Sequence, residues 1–411
     1  MKQFDVPSFY RSPLLSRIKS KRKVVDKLKK DFSPTLLDFG PLKIYLARHF
    51  GFCYGVENAI EIAYRCIDEN PGKRIYLLSE MIHNPQVNND LQSKGVQFLQ
   101  NFHGETLIPF SELRPDDIVI IPAFGTTLAI EEKLREAGIS PHQYNTTCPF
   151  VEKVWNRGEQ LGKKGYSLII HGKPAHEETR ATFSRVASHS PAIIINNMAE
   201  SLELSKFITG EKSQQEFEQI FAGRYSTGFD IKRDLKFVGV INQTTQLATD
   251  TQAIADYLKD VVESLIVVEE QDENRKNFAD TRDTLCYATN DNQSAVREML
   301  DQPADLAIVV GGYNSSNTSH LVELCENKMQ TYYINAAASL ESREKVVHFN
   351  WRTKTLLQSY DYIPEKDPVS ILLTSGASCP DALVEEVIHR LVEFFPGSKD
   401  LEEVEIHWLD E

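Results

Sequence analysis

No apolar run in the 411 residues approaches the roughly 20 that a bilayer-spanning helix needs, so no membrane span is expected. Cysteine is scarce: six residues cannot make a disulfide scaffold and read instead as reduced thiols, metal ligands or core residues. Positive charge is in deficit, 45 Lys and Arg against 59 Asp and Glu for a net −14, which argues against nonspecific nucleic-acid binding. The N-terminus has no secretory hydrophobic core; the basic stretch from Arg17 to Lys30 leaves a transit peptide open, with Asp5 and Asp26 against it. There is no Cys-x-x-Cys pair and no Gly-x-Gly-x-x-Gly between a strand and a helix. The usual structural zinc and dinucleotide-binding signatures are therefore missing.

What remains is ordinary globular composition, 41% hydrophobic and 25% charged, in a chain long enough for two to four domains. From Lys43 onward, short β-branched runs alternate with helical patterns: 43–47, 75–78, 118–121, 167–170, 192–195, 237–241, 306–310, 332–334 and 371–373. Continuous rather than alternating hydrophobicity predicts parallel strands covered on both faces, hence an α/β class. Segments 55–70, 150–164, 288–302 and 380–395 show three-and-four spacing and read as crossover helices. Nine strands over so long a stretch fit three small sheets better than one large one. The polar stretch 201–234 reads as an insertion.

Three strand ends share a grammar. Ile121 through Gly125 to Thr126 and Thr127, Val310 through two glycines to Asn314, Ser315, Ser316 and Asn317, and Leu373 through Gly376 to Ser378 each lead into a helix. Ligands of parallel sheets bind beyond the carboxyl ends of strands, where helix N-termini attract anions. Any one such hydroxyl is explained as a helix cap; three similar turns point to a shared anion pocket.

Cys53, Cys148 and Cys286 each immediately precede a helical pattern, where the dipole favours the thiolate that ligates metal. Cys66 and Cys325 sit among apolar helical neighbours and read as core, whereas Cys379 precedes Pro380 and a helix, and spacing alone does not exclude it as a ligand. Three remote thiolates suit an iron–sulfur cube with one iron open to substrate.

The motifs His-Phe-Gly-Phe-Cys53-Tyr-Gly-Val, Ser-Glu-Met-Ile-His83-Asn-Pro, Thr-Thr-Cys148-Pro-Phe-Val-Glu-Lys-Val, Ala-His176-Glu-Glu178-Thr, Gln243-Thr244-Thr245, Cys286-Tyr-Ala-Thr, Asn314-Ser315-Ser316-Asn317 and Ser-Gly-Ala-Ser378-Cys-Pro-Asp occur in order over about residues 43 to 390. This succession resembles the 4-hydroxy-3-methylbut-2-enyl diphosphate reductase (LytB) family, in its long form with an N-terminal extension. The resemblance implies three α/β domains in pseudo-threefold arrangement around one four-iron four-sulfur cluster with three cysteine ligands and one open iron. It assigns Cys53, Cys148 and Cys286 to the cluster and leaves Cys379 out. It assigns His83, His176, Ser315, Ser316, Asn317 and Ser378 to the diphosphate, and Glu178 and Thr244 to protons and the substrate hydroxyl. The residues alone do not choose between Glu177 and Glu178, which would point to opposite sides of an extended or loop segment; the family motif favours Glu178.

Accordingly we expect an extension over 1–42 lying outside the catalytic unit, domains over 43–147, 148–285 (with the 201–234 insertion) and 286–366, and a C-terminal strand and helix over 367–411 completing the site. The implied reaction is reductive dehydroxylation of an allylic diphosphate, the last step of the methylerythritol phosphate route to isoprenoids. Its electrons would come from ferredoxin or flavodoxin, in the bacterial cytoplasm or a plastid stroma. A redox-neutral iron–sulfur dehydratase or quinolinate-synthase-like enzyme would turn over without reductant, and an iron–sulfur sensor would not bind the diphosphate. The chain departs from many members of the family in carrying Phe124 in place of a second histidine, with Thr126 or Thr127 available to compensate. His171 is a candidate supporting residue, His49 and His320 are open, and His103, His142, His189, His348 and His407 are expected at the surface.

Overall fold

The computed structural model describes residues 4–28, 30–265, 276–279 and 284–404; His407 lies outside them. The strands are β1 (Thr35–Asp38), β2 (Leu42–Leu46), β3 (Ile75–Leu77), β4 (Gln97–Phe98), β5 (Ile118–Ile121), β6 (Tyr144–Asn145), β7 (Ser167–His171), β8 (Ala192–Ile195), β9 (Val238–Asn242), β10 (Leu306–Val310), β11 (Thr331–Ile334), β12 (Lys345–Asn350), β13 (Thr355–Tyr360) and β14 (Val369–Ser375). All nine expected runs are strands. β4 and β6 are too short to leave a periodic signal, and β12 and β13 form a partly exposed antiparallel hairpin rather than a doubly covered pair.

Two compact units emerge, one of Met1–Glu57, Ile82–Asn88 and Tyr287–Glu411, the other of Asn58–Met81 and Asn89–Cys286. The first is built on a sheet of order β1-β2-β14-β10-β11, parallel except for the β1 edge. β10 and β14 are buried at every residue, as doubly covered parallel strands must be. β2, expected with the 43–147 segment, pairs with β14 from the far end of the chain. Strand neighbours are chosen by tertiary packing, which sequence order does not reveal.

Residues 1–42, expected as an accessory extension outside the catalytic unit, belong to this same unit. Ser12 caps the helix Pro13–Val25 by accepting from the Leu15 N–H at 2.9 Å, with Pro13 at the first turn. Leu14, Leu15 and Ile18 form one stripe that enters the core beside Leu46, Leu373 and Val384. Arg17 and Lys23 stay exposed away from that stripe, whereas Lys19 and Arg22 lie partly covered beside it.

The second unit carries two all-parallel sheets, β4-β3-β5-β6 and β8-β7-β9. Segment 201–234 is helical and far from a loose insertion. Phe207, Phe217, Phe221 and Phe229 pack with Ile169, Ile193 and Val240 in one core. Phe217 stacks on Phe229 with ring centroids 5.2 Å apart and planes 12° from parallel. Its polar composition hid four phenylalanines spaced along short helices, each capped by a side chain such as Ser213 or Asp230.

Phe217→Ala removes a fully buried ring from this cluster and should cost about 3 to 5 kcal/mol. The midpoint of urea unfolding, followed by far-UV circular dichroism, should drop accordingly; an unchanged midpoint would mean that the segment is not integral to the unit.

Candidate functional site

Cys53, His83, Ser315, Ser316, Asn317 and Ser378 fall in the first unit, whereas Cys148, His176, Glu178, Thr244 and Cys286 fall in the second. In the first unit the ends of β10 and β14 bring the predicted residues together. β10 runs into Gly311 and Gly312, and a Cβ on Gly312 would lie 2.1 Å from the His83 carbonyl oxygen. Only glycine lets the His83–Asn84 backbone rest there, and the Ser378 hydroxyl then donates to the same carbonyl at 3.2 Å. Ser315 caps the helix Ser316–Glu326, its Oγ accepting from the Thr318 N–H at 3.2 Å. Its hydroxyl proton stays available for an anion.

Asn317 is the informative member. Its Oδ1 accepts from the Ala377 N–H at 2.9 Å, which orients the amide, and its buried Nδ2 has no hydrogen-bond partner among the described residues. A buried, unsatisfied donor costs about 1 to 3 kcal/mol unless a ligand takes it up. The Ala377 carbonyl accepts from the Cys53 N–H at 3.1 Å. The backbone of one residue, Ala377, thus ties the Cys53 loop to the serine-and-asparagine turn.

In the second unit the helix Glu177–Ala187 begins at His176, whose Nδ1 accepts from the Glu178 N–H at 3.2 Å. Nδ1 as acceptor leaves the ring proton on Nε2, so His176 is a donor there even when neutral. Glu177 and Glu178 are the first two residues of this helix, not part of an extended or loop segment as expected; the histidine cap is what converts them. Glu178 is 1% exposed. Its Oε1 accepts from the Thr244 N–H at 2.6 Å and its Oε2 from the Thr244 hydroxyl at 3.0 Å. The Thr244 carbonyl in turn accepts from the Cys286 N–H at 3.3 Å. Acid, hydroxyl and cysteine form one hydrogen-bonded unit.

Gln243, which opens the Gln243-Thr244-Thr245 motif, has a positioning part. Its Oε1 accepts from the Lys173 N–H and from Thr179 Oγ1, each at 3.1 Å, and its N–H donates to the His171 carbonyl at 2.8 Å. It fastens the end of β9 to the loop that carries His176. A buried glutamine just past a strand, beside a candidate acid, was the signal for it.

Cys148 caps the helix Pro149–Lys163, its N–H bonded to the Ala123 carbonyl at 2.9 Å. Cys53, Cys148 and Cys286 are all half-buried. Burial pushes the Cys53 thiol up, against the N–H groups of Val56 and Gly55, which pull it down. Desolvation therefore outweighs the expected helix-dipole effect, and an arriving metal would have to displace a proton. Cys66, Cys325 and Cys379 are fully buried, their thiols pushed up to about 12 by burial first of all. Among the described residues, no group of three or more His, Cys, Asp or Glu side chains could hold a single metal ion. Thiolates on a polynuclear cluster each bind a different iron, so a cluster-binding set is of another kind.

Phe124 packs its ring edge-to-face on His176, centroids 5.5 Å apart and planes at 83°. Thr127 caps the helix Leu128–Glu136 by accepting from the Ile130 N–H, and Thr126 is buried. His171 is buried against Thr251, 3.3 Å from its hydroxyl. His320 pairs Nδ1 with Glu323 at 3.1 Å, and His49 lies against Phe32. His103, His142 and His189 are exposed as expected. His348 is not: it is half-buried, 2.9 Å from Ser359 Oγ and edge-on to Tyr332, because the unforeseen β12–β13 hairpin covers it.

The model of the family described as LytB protein matches residues 44–392. A 4-hydroxy-3-methylbut-2-enyl diphosphate reductase of Synechococcus sp. (strain CC9605) is 37% identical over 358 residues, covering 87% of each chain. Its namesake in Prochlorococcus marinus (strain MIT 9211) is 36% identical over 358 residues, covering 87% of this chain and 86% of its own. Among solved structures, the E-1-hydroxy-2-methyl-but-2-enyl-4-diphosphate reductase from Plasmodium falciparum aligns with a TM-score of 0.61 at 22% identity, over 85% of this chain and 87% of that one. A second, described as the terminal enzyme of the non-mevalonate pathway, aligns at 0.51 and 24% identity over 85% of this chain and 99% of that one. These two likenesses speak for the fold; the sequence matches speak for the lineage, and the chain belongs to the LytB family.

Proposed function

We propose that the chain reduces (E)-4-hydroxy-3-methylbut-2-enyl diphosphate to isopentenyl and dimethylallyl diphosphates and water, consuming two electrons and two protons. The observation that carries this reading is the Glu178–Thr244–Cys286 unit, in which one residue, Thr244, links a buried carboxyl to the backbone of a candidate cluster ligand and adds its own hydroxyl. The sequence relatives named as this reductase support the substrate.

Cys53, Cys148 and Cys286 would hold one four-iron four-sulfur cluster with one iron open. The donor set fits: each of the three thiols immediately precedes a helix and is half-buried, whereas the other three cysteines are core. When bound, such a cluster supplies the electrons and a Lewis-acidic iron. Ferredoxin or flavodoxin is the fitting donor, because the chain has no dinucleotide fingerprint.

The chain's own residues do the rest. The Nδ2 of Asn317, the hydroxyls of Ser315 and Ser316, and the rings of His83 and His176 bind the diphosphate as charge-assisted donors, and Ser378 joins them by exchanging its bond to the His83 carbonyl for one to the anion. Once Glu178 carries a proton on Oε2, its bond with Thr244 runs the other way: Oε2–H donates to the Thr244 hydroxyl as that hydroxyl hands its own proton to the departing oxygen, so that water leaves rather than hydroxide and Glu178 is left as the carboxylate. Burial of both residues keeps bulk water from competing for that proton.

Anaerobic reconstitution with iron and sulfide counting, followed by turnover with a chemical reductant, tests the function; a cluster-free or inactive protein would overturn it. Serine replacement of Cys53, Cys148 or Cys286 should abolish cluster content, and Cys379→Ser should retain it, as read from the visible absorption near the cluster's charge-transfer band. Asn317→Ala should raise the substrate dissociation constant roughly ten- to a hundredfold, with that absorption unchanged. Glu178→Gln should bind substrate and turn over at least about a hundredfold more slowly, while Glu177→Gln stays near wild type. Exchange of these two phenotypes would move the acid to Glu177.

A further inference from the structure

The basic N-terminal stretch has no part in the chemistry above. The first 30 residues hold ten Lys and Arg against two Asp, in a chain whose net charge is −14, so the remainder carries the whole acidic excess. Among the described residues, part of this charge is presented on a fixed platform. The helix Pro13–Val25 is anchored in the core by Leu14, Leu15 and Ile18. The segment after it is folded back: Asp26 accepts from the N–H groups of Lys30 and Asp31, and Arg22 bonds both Asp31, at 2.8 Å, and the Ser33 carbonyl. Lys23, Lys27 and Lys30 are exposed. Between them stand Val24, Val25 and Leu28, and the last two are 77% and 74% exposed. Apolar side chains this open, ringed by lysines, have the make-up of an interface core with a charged rim.

The platform is tied directly to the loop of Cys53. Lys19 Nζ bonds the Phe50 carbonyl at 3.0 Å and Asp381 at 2.7 Å. That ion pair lies on Gly51, whose φ is +77° and where a Cβ would come within 2.0 Å of Asp381 Oδ1. A cavity of about 230 Å³ opens beside the helix, lined by Lys19, Lys23, Arg48, His49 and Asp291, and reaches Cys53. Arg48 is 7% exposed, and its Nε is buried without a hydrogen-bond partner among the described residues. Burial and then Arg22 lower its pKa, opposed by Asp26, Asp31 and Asp291. A buried guanidinium left without full hydrogen bonding is a poor structural element and a good receptor for a carboxylate.

We propose that this platform, Lys23, Lys27 and Lys30 with the Arg48 cavity, is the docking surface for an acidic electron-carrier protein, which places its redox group against the Cys53 loop. The proposal rests on the reductase reading, because only a reaction that consumes external electrons needs such a partner. Each docking oxidises the carrier by one electron. Two dockings supply the two electrons that, with two protons, replace the C–O bond by a C–H bond and release water.

The test uses the full chain and an oxidised plant-type ferredoxin as probe, with binding measured by calorimetry at about 20 mM and about 200 mM salt. Wild type should bind more weakly at the higher salt. Lys23→Glu/Lys27→Glu/Lys30→Glu, which reverses three exposed charges, should bind at least about tenfold more weakly at the lower salt and lose most of the salt dependence. Turnover driven by a small chemical reductant should match wild type, which separates docking from chemistry and reports correct folding. Arg48→Gln should weaken binding with less change in salt slope. Equal ferredoxin affinity in wild type and the triple variant would overturn the proposal, as would wild-type binding to anionic vesicles or RNA in preference to ferredoxin. A wild type that binds ferredoxin but does not turn over with chemical reductant would sink the reductase reading and leave the docking surface standing.

Discussion

A parallel strand buried on both faces must release its chain at the carboxyl end, and the polar groups freed there have only one another or a ligand for partners. β7, β9, β10 and β14 are buried along their whole length, and the functional side chains follow those ends. The backbone N–H and C=O of Ala377, after β14, are spent on Asn317 and Cys53, and those of Thr244, after β9, on Glu178 and Cys286. Each is a single residue whose backbone N–H and C=O are both used. A shift of one strand end would therefore displace a cysteine and a polar side chain together.

This economy also separates what is satisfied from what is waiting. Glu178 has both oxygens taken and His176 has Nδ1 taken, so both side chains are held in place before any substrate arrives. Asn317 keeps one buried donor open among the described residues, a cost that the proposed diphosphate would recover. Preorganised donors of this kind need no rearrangement when charge arrives, which is how a rigid site favours an anion over water. The same logic operates at the basic platform, where Arg48 is carried into a cavity wall with its Nε unspent.

The α/β class and the helices that follow Cys53, Cys148 and Cys286 were legible in the chain because hydrophobic runs and three-and-four spacing are local signals. So were the hydroxyl-rich turns, since glycine followed by serine, threonine or asparagine is a local pattern too. Segment 201–234 was opaque because its four buried phenylalanines are diluted by surface residues on short helices, and only their convergence on β8-β7-β9 marks them as core. The hairpin of β12 and β13 escaped notice because it is half exposed, and with it went the environment of His348.

By itself the sequence determined which residues are chemically able to act: thiols at helix starts, a histidine followed by two carboxylates, serines and an asparagine beyond a strand. That much is local, since it depends on residue type and on neighbours within a few positions. Only the tertiary structure decided the rest. The helix begun at His176 gave Glu178 rather than Glu177 the bond to Thr244, 66 positions along the chain. β2 was joined to β14 rather than to β3, which carried the Cys53 loop and residues 1–42 into the C-terminal unit. The physical reason is the same in each case: a hydrogen bond or a buried face is completed by whichever partner packing brings near, and sequence distance does not enter that choice.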